Sequence, residues 1–275
     1  MMSTAVQHSL PTVAPFDLLA ARYDDVFTNS CIGRAQRNLV WREMDRNFQP
    51  GQRILEINCG TGVDACHLAE RGIRVLACDS SHRMIDVARR RVRVSGHEQL
   101  VEVRHLCTED LTQLFRSEPF EGVLSNFGGL NCLGDLERVA FDLAPLVRTG
   151  GRLVICVFGV CCLWETLWYV LRRDLNKAFR RLRAEGDLWS ASPAARVVVR
   201  YHSVRSLGRA FAPYFSLKRW QGVGIAVPPS YLETLAVRFP RLFRVATGLD
   251  SLLAPCPGYR AMADHALLTL ERTRA

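Results

Sequence analysis

Apolar positions along this chain switch between two spacings, and each switch marks an element. Ile54, Leu55 and Ile57 form a short apolar run suited to a strand buried on both faces. From residue 63 to 70 the apolar positions Val63, Cys66, Leu68 and Ala69 suit a helix. Gly60-Thr61-Gly62 between them lets the backbone turn sharply, and a second apolar run at residues 73–79 ends in an acid, Asp79. The alternation continues. Residues 32–48 predict a helix stopped by Pro50-Gly51, and residues 101–106 and 120–127 predict further strands. Residues 136–147 predict an amphipathic helix, and Gly150-Gly151 opens a fifth strand over residues 153–157.

Beyond Gly159 the pattern thins. Residues 164–182 read as one helix, residues 190–193 break the pattern, and residues 197–202 suit a strand or an extended linker. A helix over residues 204–215, a sixth strand over 217–227 and a seventh over 263–271 follow. Between the last two strands, Pro228-Pro229 introduces an insert of large apolar residues, which suits helices capping a site or a helix packed at the sheet edge. At the other end, Phe16, Leu19 and Tyr23 stand at helical spacing.

Size admits one large α/β domain with a substantial core: 275 residues, 48% hydrophobic and 23% charged, are ordinary for a globular protein. The ten cysteines have no paired C-x-x-C, and Cys59, Cys66, Cys78 and Cys156 read as small buried apolar residues, which implies a reducing, cytoplasmic setting. No metal is expected, since Cys161 and Cys162 lack further ligands at metal spacing. Residues 1–15 have no basic start followed by an apolar core, do not read as a secretory signal and are expected to be loose. The apolar stretch 153–171 mimics a membrane span but carries Glu165, and Gly159 divides it into strand plus helix. Of the net charge of +9, most lies between residues 165 and 220, where twelve basic residues face four acids. Such a region suits a solvated face, a contact with an acidic membrane surface or nucleic acid, or a funnel for an anionic substrate.

The chemistry concentrates at the glycine turn. Asp79 lies 19 residues beyond Gly60, close to the ~20 expected of a carboxylate that grips ribose hydroxyls in a nucleoside-binding βαβ unit. Gly60-Thr-Gly62-Val-Asp-Ala65 also fits the dinucleotide pattern G-x-G-x-x-A, so an NAD-dependent Rossmann oxidoreductase is one alternative. Glu56 opposes it. A carboxylate at the tip of the first strand repels a pyrophosphate and suits a ligand with an ammonium group.

The run Glu56-Ile-Asn58-Cys59-Gly60-Thr-Gly62 resembles motif I of class I S-adenosylmethionine-dependent methyltransferases, acid-x-G-x-G-x-G, with Asn58 replacing the first glycine. Asp79-Ser80-Ser-His-Arg-Met84-Ile resembles the family's sequel to the ribose acid, and residues 16–24 resemble its F-D-x-x-A-x-x-Y-D segment. The resemblance implies that Tyr23 closes over S-adenosyl-L-methionine, that Glu56 meets its methionine end, and that Met84 lies against its adenine. Where the family usually holds an Asp for the adenine amino group this chain has Cys107, so Thr108 or Glu109 supplies the acceptor or the contact is missing.

The expected fold is α/β: a Rossmann-like, seven-stranded, mostly parallel sheet with helices on both faces and helical inserts forming a cap. Residues 1–50 are expected to close over the cofactor, 51–160 to form its binding core, and 161–275 to supply substrate-side inserts and the last two strands, all in one structural domain. Ser125, Asn126, Phe127 and Asn131 follow the fourth strand, where open parallel sheets bind ligands. Their sequence is not the signature of amino-methyltransferases acting on DNA bases, which lowers the nucleic-acid reading. His202, beside Tyr201, is the candidate general base for an acceptor that must lose a proton, with Glu165 weaker. The resulting expectation is a methyltransferase acting on an oxygen or nitrogen of a small, apolar or lipid-like metabolite. The alternatives are an RNA methyltransferase using the basic region, the oxidoreductase, and a non-catalytic scaffold. Oligomeric state is not legible.

Overall fold

In the computed structural model, which describes residues 16–183, 185–192 and 195–274, the chain builds one seven-stranded sheet and a separate hairpin. The N-terminal fifteen residues and Pro193 of the expected break lie outside the described residues. Helix α1 (Cys31–Asn47) leads to β1 (Arg53–Ile57), α2 (Val63–Glu70), β2 (Arg74–Asp79), α3 (His82–Val94), β3 (Val101–His105) and β4 (Phe120–Ser125). Then come α4 (Leu136–Leu143), β5 (Val147–Phe158), α5 (Leu163–Leu171), α6 (Leu175–Ala178), the hairpin strands β6 (Asp187–Ser192) and β7 (Ala195–Val199), and α7 (Val204–Phe211). Strand β8 (Phe215–Val223), α8 (Glu233–Arg238), α9 (Pro240–Leu253) and β9 (His265–Arg272) complete the order.

The sheet runs β3-β2-β1-β4-β5-β9-β8; β9 runs antiparallel to β5 and β8 on either side of it, and the other pairings are parallel. Leu55 and Ile57 of β1 pack toward α4 and α7, while Ile54 packs toward α1, α2 and α3, so the central strand is buried on both faces as its apolar run requires. The carboxyl ends of β1, β2, β4 and β5 and the start of β9 share one edge, because Phe158 and Val223 both pair with His265. Both inserts, α5–α6 after β5 and α8–α9 after β8, therefore leave the sheet on the ligand-binding edge.

Several elements differ from the apolar pattern. Residues 16–22 form turns, and a π-helical turn, Asp24–Thr28, follows instead of a plain helix. The helix expected over 164–182 breaks at Arg173, which takes φ 60°, and restarts where the Asp174 carboxylate accepts from the Lys177 amide at 3.0 Å. The expected break at 190–193 includes the end of β6, paired with β7. Strand β5 begins at Val147, with an irregularity that carries it past Gly150 and Gly151.

Carboxylates tie the helical inserts to the rest of the fold. Glu233 at the start of α8 accepts from the Cys31 and Ile32 amides at 2.6 and 3.1 Å, satisfying free donors at the α1 N-terminus. Asp250 of α9 accepts from the amides of Gly224, Ile225 and Ala226 at 3.0, 2.5 and 2.7 Å. Glu165 and Asp264 hold Arg181 from two sides, and Glu165 also pairs with Arg180. Two cations of the basic region are thus bound inside the fold and cannot form part of a phosphate track. Among the described residues, no helix is long and apolar enough to cross a membrane.

Candidate active site

The bend between β1 and α2 requires left-handed backbone at three places, Asn58 (φ 59°), Gly60 (φ 54°) and Gly62 (φ 75°). Asn adopts that region more readily than other side-chain-bearing residues. Its side chain is accommodated across the sheet: Asn58 Nδ2 donates to Thr108 Oγ1 at 3.1 Å and Ser125 Oγ donates to Asn58 Oδ1 at 3.3 Å. A Cβ on Gly129 would stand 2.4 Å from Asn58 Cβ, so the glycine after β4 makes room for the asparagine in motif I. Gly62 brings α2 against α3, where a Cβ would meet Ala88 Cβ at 2.9 Å.

Asp79 ends β2 beside that bend. Its carboxylate accepts from the Gly60 and Ser81 amides, both at 2.9 Å, which fixes its orientation and leaves further lone pairs for a diol. Burial raises its pKa, opposed by those two amides. Glu56 is buried in β1, and among the described residues its Oε2 has no partner. Burial pushes its carboxyl well above the ordinary carboxylate range, with Asp64 and Asp79 adding to the rise and Arg37 opposing it. A buried acceptor without a donor is costly, so it points to a group that arrives from outside. Ser80 is exposed and its carbonyl bonds the His105 ring at 2.9 Å, while Met84 is buried with its amide on Ser81 Oγ at 3.1 Å. Cys59 is buried, and Cys107 is half-buried just ahead of Thr108, its thiol raised by burial and by Asp110 and Glu109.

The N-terminal segment folds over this bend. Ser81 Oγ donates to Asp17 at 2.5 Å, Thr61 Oγ1 donates to Asp24 at 2.8 Å, and Arg91 pairs with Asp24. Tyr23, just before Asp24, has its phenol pushed up to about 12 by burial, with Arg37 opposing the rise and Asp64, Asp79 and Asp24 adding to it.

Asp64 was not singled out by pattern, yet it ties three elements together. It accepts from Arg37 at 2.7 Å, Trp41 at 2.6 Å and Asn126 at 2.8 Å. Burial alone would raise its pKa, but Arg37 and these donors hold it below the usual value. The sequence signal was the i, i+4 pair Arg37 and Trp41 on one face of α1.

After β4, Asn126 Oδ1 accepts from the Phe127 amide at 2.9 Å and Phe127 takes φ 48°, an uncommon conformation for an aromatic. Its ring lies edge-on to Phe27 at 4.8 Å and to His265 at 5.4 Å, and His265 stacks on Phe158 at 4.5 Å, which faces Tyr201 at 6.5 Å. An aromatic row thus crosses the ligand edge. His202 lies one residue beyond Tyr201, in a segment tied to the site because Asn131 accepts from the Arg200 amide at 2.7 Å and donates to the Arg200 carbonyl at 2.6 Å. Among the described residues the buried His202 Nε2 has no partner, and burial followed by the Arg200 charge lowers its pKa. His265, which pattern did not select, is lowered by burial and stands 3.4 Å from Asp264 through Nδ1.

A family profile described as a methyltransferase domain matches residues 54–151. Demethylmenaquinone methyltransferase of Mycolicibacterium paratuberculosis is 33% identical over 183 residues, which cover 63% of this chain and 72% of that protein. The demethylmenaquinone methyltransferase of Clavibacter sepedonicus is 34% identical over 53% of this chain and 57% of its own length, so the chain spans less than two thirds of that relative. In fold, the DhpI–SAH complex superposes with a TM-score of 0.60 at 16% identity over 96% of both chains. The SpnF cyclase superposes with a TM-score of 0.62 at 17% identity over 94% of both, so this architecture also occurs under a different reaction name. The chain belongs to the class I S-adenosylmethionine-dependent methyltransferases.

Proposed function

We propose that this protein transfers a methyl group from S-adenosyl-L-methionine to an oxygen or nitrogen of a small, apolar, lipid-like acceptor. The residues fit the cofactor: a Cβ on Gly60 would meet nothing within 4 Å, and Glu56 offers a buried, unpartnered acceptor. Glu56 takes the ammonium, Asp79 the ribose hydroxyls, and Ser80, Met84, Cys107 and Thr108 the adenine side. Asn58, Cys59, Gly60 and Gly62 shape the bend, Asn126 and Phe127 flank the transferred methyl, and Tyr23 closes over it. Bound there, S-adenosylmethionine supplies a methyl already activated on a sulfonium.

What remains for the protein is to hold the acceptor in line and keep water out. The observation that carries the apolar acceptor is the row Phe27, Phe127, His265, Phe158 and Tyr201 beside the bend. Relatives named for demethylmenaquinone support the same acceptor class. An acceptor that must lose a proton gives it to His202, whose lowered pKa leaves the imidazole neutral at pH 7. His265 is a second neutral imidazole, favoured by its contact with Phe127.

Incubating the full chain with methyl-labelled cofactor and a lipid and metabolite extract tests the proposal. Label enters the apolar fraction, and His202→Ala or His265→Ala lowers kcat by roughly 100-fold, whichever is the base. Label in RNA alone, or none in any fraction, overturns it.

A further inference from the structure

We propose that the outer face of α8–α9, continued by α5, docks on an anionic lipid bilayer and so presents the mouth of the site to the membrane. The proposal deepens the lipid-like acceptor reading and rests on it.

Helix α9 is amphipathic the wrong way round for a helix covering a soluble protein. Leu242, Val245, Leu249 and Leu252, spaced by three, four and three residues, form one stripe, and that stripe faces solvent, with Leu242 67% and Leu252 71% exposed. The inner face is fixed by the Asp250 carboxylate on the loop amides and by Phe243 packed near Ile32 and Val227. Helix α5 exposes Leu171 in the same manner, at 81%, and the Tyr169 and Tyr231 rings, 6.5 Å apart, join the two inserts. An exposed apolar surface of this extent marks an interaction site.

Charge selects the partner. The acids of these helices, Glu165, Glu233 and Asp250, all point inward to arginines or backbone amides. Arg238, Arg241 and Arg244 are exposed, and among the described residues none has an ion-pair partner; Arg172 and Arg173 on the other insert are likewise unpaired. Arg241 and Arg244 lie in the first turns of α9, at the positive end of its dipole, where cations are unfavourable without an external anion. Apolar side chains fringed by unpaired arginines, with the acids of α5, α8 and α9 turned away and Asp174 paired with Lys177, match an anionic bilayer interface. Both inserts leave the sheet at its ligand edge, so docking sets the aromatic row near the acyl region.

Co-sedimentation of the full chain with phosphatidylcholine vesicles, with and without one quarter phosphatidylglycerol, tests this at low and high salt. Binding to the anionic vesicles is at least about tenfold tighter and falls with salt. The Arg238→Gln/Arg241→Gln/Arg244→Gln variant and the Leu242→Ser/Leu249→Ser variant each weaken it by about tenfold or more, while binding of S-adenosylhomocysteine, titrated in parallel, is unchanged. Equal binding to both vesicles, or binding indifferent to the substitutions, overturns the proposal. A dimer in sedimentation velocity that Leu242→Ser/Leu249→Ser dissociates assigns the face to a second copy and also overturns it. Vesicle binding needs no turnover, so loss of methyl transfer with docking intact counts against the reaction and not the surface.

Discussion

Replacing Glu56 by Gln isolates the charge on which the cofactor assignment depends. In the free protein Glu56 is buried, Oε2 has no partner, and its pKa lies well above the ordinary range. A protonated Glu and a Gln have nearly the same volume, so folding changes by under about 1 kcal/mol and Tm by less than ~4 °C. The ligand's ammonium tells the two apart. A hydrogen bond to a charged group contributes about 1.5–3 kcal/mol, so S-adenosylhomocysteine binds Glu56→Gln roughly 10- to 100-fold more weakly. The wild-type protein must release the Glu56 proton to pair with that ammonium. Its affinity therefore rises with pH, by up to about tenfold per unit while Glu56 is protonated in the free protein, and levels off above that pKa. Calorimetric titrations from pH 5 to 8 on both proteins measure the affinity and the proton released. Equal affinities and superimposable pH profiles would show that Glu56 never meets the ligand.

Three other perturbations read separate parts of the site. Cys107→Asp places a carboxylate where the family's adenine acceptor stands and also at the cap of a short helix; it tightens S-adenosylhomocysteine binding by about fivefold, read by the same titration. Gly62→Ala forces a side chain into left-handed backbone and against Ala88, so thermal unfolding falls by roughly 2 kcal/mol, or ~4–8 °C. Arg181→Met strips a buried cation from Glu165 and Asp264 and costs about 3–5 kcal/mol in denaturant titration. Asp264 and Glu165, held below their usual pKa despite burial, stabilise the wild type fully above the unfolded carboxylate pKa of about 4. That contribution is lost as pH falls through their folded values, and Arg181→Met flattens this acid limb.

The β1-bend-α2-β2 unit was legible because everything that defines it is local: two buried apolar runs, a glycine turn and an acid at fixed spacing. Seven strands could be placed for the same reason, since each carries its own apolar run. Elements governed by distant partners were not. Strand β6 exists because β7 pairs with it, and the break after α5, where Arg173 turns left-handed and Asp174 caps a new turn, rests on a polar contact that apolar spacing does not register. At the site, Asn58 replaces a glycine of motif I, and the space for it is made by Gly129, far along the chain. Asp64 gains its role from Arg37, Trp41 and Asn126, and His265 from Phe127 and Phe158, none of which adjoins it in sequence. The charge of the basic third could not be apportioned from composition, since Arg180 and Arg181 are held by buried carboxylates while Arg172 and Arg173 stand exposed, and the unpaired arginines of α8–α9 lie outside it.

A diffraction structure of the full chain soaked with S-adenosylhomocysteine tests the central assignment most directly. The account predicts the ammonium within hydrogen-bond distance of Glu56, the ribose hydroxyls on Asp79 and the sulfur facing Phe127. Density for the ligand elsewhere, or a ligand pose in which neither carboxylate touches it, would contradict the account.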